Sequence, residues 1–498
     1  MFIYLRSFCA ATIAALVLSA CQGQNTADEG GESPVGASPP FAVGSSTLYI
    51  HDDSRPFDTV AGVNTGVRTL VTEVWYPVEH NDISDSSVRA TYGDYVFGSH
   101  TLHQKMMTKT TFFHLTPETV REGVTSEQIQ QSIDELFVRP RGSFVDAPVA
   151  AMIGKLPVIV MSHGDAGSRY NMQSVCEYLA SFGYLVIAPE HTGNSPYTAT
   201  GKDPALAGDD PSFESQMSDV LPLLDADGAY GQVALYGQSY SPLAGDIGPA
   251  AMFDLDRALV ERVNDLRAVL DTLDRMNQQG EFASLIDLSR IGLMGRSFGG
   301  ATTLAGLMLE DRFSAGFAVV PPAFPDFRNA LPADALVPPG IESAILSASG
   351  DNALTSLHKP TMLLLGGEDD LILGLGYQLG KAMGGPVPSP ENPYPVLKTT
   401  VQESDMPSVM ALVPNTNHGS FGVSGPYWWP ALKPNRFPGF FNPDEEFILL
   451  DSEVAHRMQR EMALKFFDIT LREDKSRLGI FRDNPWQEYG VTVDIRGF

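Results

Sequence analysis

Cysteine, basic side chains and long apolar runs are all scarce in this chain, and each scarcity excludes something. Only three cysteines, at positions 9, 21 and 176, are spread over 498 residues. They are too few to staple a fold and lack the paired C-x-x-C spacing of a structural zinc site. Lys and Arg number 33 against 60 Asp and Glu, for a formal charge of −27. Such a surface repels a phosphate backbone and an anionic bilayer alike, so nucleic-acid binding is not expected. There is no H-E-x-x-H and no nucleotide-binding glycine loop, and neither a metal nor an organic cofactor is expected.

Apolar runs long enough to cross a bilayer are missing too, and the nearest approach lies at the N-terminus. Arg6 precedes an apolar run over residues 8–18 that is too short to span comfortably, the pattern of a signal peptide over residues 1–20. Leu18-Ser19-Ala20-Cys21 resembles the bacterial lipoprotein signal, which implies lipidation of Cys21. The expected product is exported and held on a bacterial membrane, at its periplasmic face or in the outer membrane, by that lipid anchor alone. Cys176 would then be the one remaining thiol, leaving no internal disulfide. Residues 21–40, rich in Gly, Ser, Pro and acids, read as a disordered tether.

The folded part begins near Phe41. Runs dense in β-formers at 47–51 and 70–78 read as strands, and continuous apolar runs at 156–161, 184–188, 313–320, 361–365 and 409–413 read as buried strands. Between them, Leu259, Val263, Leu266, Leu270 and Leu273 mark one face of a long helix. Asp451 or Ser452 caps another that runs to residue 471. Strand, helix, strand in alternation implies an α/β fold with a mostly parallel central sheet and helices on both faces. The length admits about three domains as a prior. One catalytic domain over 41–498 fits better, with cap-like insertions at about 81–148 and 201–253, where the apolar pattern lapses.

Chemistry enters at Gly295-Arg296-Ser297-Phe298-Gly299, a G-x-S-x-G between an apolar run and the helix from Ala301 to Leu309. A serine hydroxyl needs a tight turn, a base and nearby N–H donors before it becomes a nucleophile. Gly237-Gln238-Ser239-Tyr240-Ser241 imitates this elbow but lacks the second glycine and the preceding strand. Downstream of Ser297, the strand at 361–365 runs into Gly366-Gly367-Glu368-Asp369-Asp370, where three adjacent carboxylates repel one another. One of them is the expected acid, Asp370 first and Asp369 second. The next buried strand delivers Asn417-His418-Gly419, making His418 the expected general base. The oxyanion donors should be the amides of Phe298 and, in Ser162-His163-Gly164-Asp165, of Asp165, with the His163 side chain bracing that loop.

His163-Gly164, Ala188-Pro189-Glu190-His191, Gly295-Arg296-Ser297-Phe298-Gly299-Gly300-Ala301-Thr302 and Asn417-His418-Gly419-Ser420-Phe421 together resemble the platelet-activating factor acetylhydrolase and dienelactone-hydrolase-like group of α/β-hydrolases. The resemblance implies Ser297 as nucleophile, His418 as base, and the Asp165 and Phe298 amides as oxyanion hole. It also departs from that group. The position matching the acetylhydrolase acid is Val320, so the acid must come from Asp370 or, as an outsider, Asp326. The expected activity is hydrolysis of a small to medium acyl ester or lipid-like ester through an acyl-enzyme, with the ester as sole small-molecule partner. The competing readings are a non-catalytic exported binding protein of the same fold and a peptidase of related fold.

Overall fold

The computed structural model describes residues 38–56, 67–95, 115, 119–151, 154–195, 249–348, 350 and 352–498. Cys21, the tether up to residue 37, Ser239 and residues 201–248 of the second insertion lie outside the described residues. Residues Pro39–Phe498 make one compact unit.

In chain order the described strands and helices are β1 (Ala42–Asp52), β2 (Arg68–Val78), β3 (Arg89–Thr91), α1 (Ser126–Val138), β4 (Pro140–Val145), β5 (Leu156–Ser162), α2 (Gln173–Ser181) and β6 (Leu185–Pro189). There follow α3 (Pro249–Gln278), β7 (Ile286–Arg296), α4 (Phe298–Leu309), β8 (Ala315–Val319), β9 (Thr361–Gly366), α5 (Asp370–Met383), α6 (Pro395–Glu403) and β10 (Ser408–Val413). The chain closes with a small hairpin β11 (Arg436–Pro438) and β12 (Glu446–Ile448), then α7 (Ser452–Leu471), α8 (Gly479–Asp483) and β13 (Thr492–Arg496).

Eleven strands form one sheet in the order β13-β10-β9-β8-β7-β5-β6-β2-β1-β4-β3. The six from β10 to β6 run parallel; β2 and β13 pair antiparallel at either side of them. Every residue of β5, β6, β8 and β9 is buried, as a strand covered on both faces requires. Successive side chains of β5 divide between two cores. Val158 and Val160 join the core that holds Leu266, Leu270 and Leu273 of α3, whereas Ile159 and Met161 join that of α2 and α7. Gly292 and Gly306 let elements close tightly. A Cβ on Gly292 would lie 2.6 Å from the Phe467 ring of α7, and one on Gly306 2.5 Å from Leu293 of β7.

The first insertion does more than cover the sheet. Its β4 pairs parallel with β1 and its β3 antiparallel with β4, so it extends one edge of the sheet by two strands. Thr125 caps α1 in a reciprocal box with Gln128, and Ile129, Ile133, Leu136 and Phe137 form its buried face.

Candidate active site

β7 ends and α4 begins on a single residue, Ser297, held at φ 57° and ψ −124°. A non-glycine residue in that region carries about 1–3 kcal/mol of strain, which persists only where its surroundings over-determine it. Here they do. The Ser297 amide donates to Val319 O at 2.8 Å, and its carbonyl accepts from Gly300 and Ala301. The flanking glycines are forced by close approach. A Cβ on Gly295 would sit 2.7 Å from Ser162 O, and one on Gly299 2.6 Å from His163 O and closer still to Ser162 O. The turn lifts the hydroxyl out at the carboxyl ends of the parallel strands, where open α/β sheets place their sites.

The loop after β5 comes up beside this serine. Gly164 lies so near that a Cβ there would stand 3.2 Å from both Ser297 Cβ and Arg296 O. His163 braces the loop: it is fully buried, its Nδ1 lies 2.7 Å from Gly164 O, and its Nε2 accepts the His191 amide at 2.9 Å. That fixes the neutral Nδ1–H tautomer. Burial first, then the Arg262 charge, holds its pKa well below the usual imidazole range. Asp165 follows with its carboxylate taken by Asn194 Nδ2 at 2.6 Å.

Asp369 and His418 come from the ends of β9 and β10. Asp369, fully buried, is the N-cap of α5; its Oδ1 accepts Ile372 N at 3.0 Å and its Oδ2 meets His418 Nδ1 at 2.8 Å. His418 opens a single 3-10 turn whose Asn417 cap accepts from Gly419 N and Ser420 Oγ. Its ring therefore leaves a structured cap rather than a loose loop. Arg296, beside Ser297 in the elbow, donates to His418 O, tying the imidazole loop to the end of β7. Burial lowers the pKa of this guanidinium to about 10, with Asp369 opposing.

Asp370, the first expectation for the acid, is corrected by this geometry. It is the first residue inside α5 and turns its side chain to solvent, while Asp369 takes the cap position facing His418. Glu368 is engaged elsewhere, accepting Phe440 N at 3.0 Å. Asp326 does not fit either: it caps the turn Phe327–Asn329 and pairs with Arg328 at 2.9 Å. Of the aromatics that follow His418, Trp428 and Trp429 belong to the core, and Tyr427 is half-buried against it. Trp428 and Trp429 are 1% and 2% exposed, and Trp428 packs edge-on against Tyr92 at 5.1 Å.

Sequence reasoning missed a second, deeper array. Ser162 Oγ lies 2.9 Å from His191 Nε2, and His191 Nδ1 lies 3.0 Å from Asp265 Oδ2. All three are fully buried. Burial first, with Arg262 adding to it, depresses the His191 pKa to about 3. Burial would raise Asp265, but bidentate Arg68 at 2.6 and 2.8 Å, with Arg55 at 2.9 Å, overrides this and holds it far below the carboxylate range. No substrate reaches a fully buried serine, so this array is scaffolding beneath the loop that follows β5. One signal for it was present: Arg262 and Asp265 interrupt the leucine face of α3, where a merely amphipathic helix would carry apolar side chains.

Comparison with known proteins points in one direction. The family model for platelet-activating factor acetylhydrolase, isoform II, matches residues 142–216. The platelet-activating factor acetylhydrolase of Gallus gallus is 30% identical over 167 residues, 33% of this chain and 38% of that protein. A Schizosaccharomyces pombe protein provisionally described as a phospholipase A2 is 42% identical over 67 residues, 14% of this chain. The chain thus spans between 15% and 38% of the length of these relatives. Among solved structures, a ferulic acid esterase from Streptomyces cinnamoneus superposes with a TM-score of 0.52 at 20% identity, covering 88% of this chain and 93% of that one.

Proposed function

We propose that this chain, which has the α/β-hydrolase fold and over part of its length is similar to platelet-activating factor acetylhydrolases, is a carboxylic-ester hydrolase acting through an acyl-enzyme on Ser297. The observation that carries this reading is the buried His418–Asp369 bond of 2.8 Å, on a loop that Arg296 ties to the strained Ser297 elbow.

In this mechanism Ser297 Oγ attacks the ester carbonyl carbon while His418 Nε2 takes its proton. Asp369 holds Nδ1–H, which keeps Nε2 basic, and stabilises the imidazolium that forms. The Asp165 and Phe298 amides receive the developing oxyanion. Collapse of the tetrahedral intermediate breaks the C–O bond to the leaving alcohol, which takes its proton from His418. Water then attacks the acyl-serine by the same steps in reverse order, releasing the acid and restoring the enzyme. Every bond and proton in the cycle is accounted for by these side chains and water.

The substrate class follows the relatives: a small to medium acyl ester or lipid-like ester. A graded p-nitrophenyl ester panel run on wild type and Ser297→Ala tests the reading. Turnover by wild type, abolished in the variant, with a mass adduct of an organophosphonate on Ser297, is expected. An unlabelled protein with no turnover would favour a binding module of the same fold, and preference for a prolyl amide would favour a peptidase.

We also propose that Cys21 carries a lipid and anchors an exported protein. Its support is the Leu18-Ser19-Ala20-Cys21 stretch that closes the short apolar run. Globomycin should leave unprocessed precursor, whereas normal processing in its presence would rule the anchor out.

A further inference from the structure

The guanidinium of Arg262 occupies an unusual place. It comes from the middle of α3, is fully buried, and sits under both halves of the oxyanion hole at once. Its Nη1 donates to His163 O at 2.8 Å and to Thr302 Oγ1 at 3.0 Å, and approaches Ser162 Oγ at 3.5 Å. Its Nη2 reaches Gly164 O at 3.3 Å and lies 3.2 Å from His163 Nδ1. The Phe298 ring lies across its face at 4.7 Å, and Thr302 passes its own proton to Phe298 O at 2.8 Å.

Burying such a charge is costly unless it has work to do there. The covalent geometry of the loop indicates the work. Gly164 O and the Asp165 amide belong to one trans peptide unit, whose C=O and N–H point in opposite directions. Three donors converge on that oxygen: His163 Nδ1–H at 2.7 Å, Gly167 N at 3.1 Å and Arg262 Nη2 at 3.3 Å. Holding Gly164 O on the α3 side turns the Asp165 N–H the other way. A cation on the carbonyl also polarises the peptide and makes that N–H a stronger donor.

We propose that Arg262 is a positioning residue for the ester-hydrolase reaction, orienting and polarising the Gly164–Asp165 peptide and fixing its separation from the Phe298 end of α4. The inference rests on the reading of Ser297 as nucleophile. It assigns Arg262 no contact with substrate. The Ser162–His191–Asp265 array completes the support, since His191 N–H holds His163 in the tautomer that donates to Gly164 O.

The test compares full-length wild type, Arg262→Lys and Arg262→Gln on p-nitrophenyl acetate. It adds inhibition by a trifluoromethyl ketone, whose serine adduct places an oxyanion in the hole. Losing a whole oxyanion donor costs about 10²–10³ in kcat, so re-aiming one should cost about 10- to 100-fold. Arg262→Gln is expected to lower kcat by that factor with KM within about threefold, to weaken the ketone in parallel, and to be partly rescued in Arg262→Lys. Wild-type kcat and ketone affinity in a folded Arg262→Gln would overturn the proposal, as would a loss confined to KM. Should Arg262→Gln fail to fold, Arg262→Lys and Thr302→Val decide: weaker ketone binding in both supports it, and unchanged binding in both overturns it. Organophosphonate labelling separates the two levels. A wild type that resists labelling sinks the nucleophile itself, whereas a labelled, active wild type beside an unimpaired Arg262→Gln sinks only this role.

Discussion

Asp369 and Asp370 are chemically identical neighbours, and what separates them is where a helix starts. α5 begins at Asp370, so Asp369 is the cap, with non-helical backbone and a side chain folded over the helix end. From there one oxygen satisfies Ile372 N and the other reaches His418 Nδ1. A boundary of one residue is beyond what sequence patterning resolves, which is why the acidic cluster was legible and the member that meets His418 was not. The same site gives a clean prediction. Asparagine is as good a cap as aspartate, so Asp369→Asn should keep the helix while presenting a donor or a neutral acceptor to His418. If Asp369 is the acid of the proposed mechanism, steady-state kinetics should show kcat down by about 10⁴-fold, the loss the same change causes in a serine protease. Asp370→Asn, on an exposed side chain, should stay within about threefold of wild type. The reverse ranking would return the acid's role to Asp370.

At the scale of elements, the β7–α4 elbow was the most readable part of the chain because close packing demands its glycines. Gly299 faces two backbone carbonyls, Ser162 O and His163 O, and neither can swing aside as a side chain could. Gly299→Ala should therefore push the loop after β5 off the elbow, costing about 1–3 kcal/mol as overpacking does. Esterase turnover should suffer far more than the urea midpoint; an active Gly299→Ala would mean that the loop does not need this contact. Helices α3 and α7 were equally legible, since their leucine and methionine faces repeat over many turns. The outlying strands of the sheet were not. β13 and β4 are 5 and 6 residues long and only partly buried. Their membership of the sheet depends on a partner strand far away in sequence, β10 for one and β1 for the other.

Across the whole molecule the buried histidines tie stability to pH. His163, His191 and His456 are all fully buried and held neutral; burial lowers the last two to about 3. An unfolded histidine titrates at about 6.5, so below that pH the unfolded chain binds protons that the folded one refuses. Their contribution is present above pH 6.5 and drains as pH falls toward 3. Buried Glu177 and Glu190, raised by burial, work in the opposite direction. A variant isolates one histidine. His456 accepts from Ser174 Oγ at 2.7 Å and meets Gly422 O at 3.1 Å, partners that a glutamine can also serve, and it takes no part in the proposed chemistry. The stability advantage of wild type over His456→Gln should shrink by about 2 kcal/mol between pH 6.5 and 5, read from urea midpoints. An advantage constant with pH would mean that His456 titrates normally in the fold. What the amino-acid order determined by itself was local: the elbow glycines around Ser297, the buried strand runs, the long helices, and the order of serine, acid and histidine along the chain. Periodicity and turn chemistry act over a few residues, so they can be read there. The tertiary structure decided which carboxylate meets His418 and that Trp428 belongs to the core. It also brought Arg262 and Asp265 of α3, His191 after β6 and Ser162 of β5 together under one peptide bond, because contacts between distant segments are set by how the layers pack and leave no periodic trace.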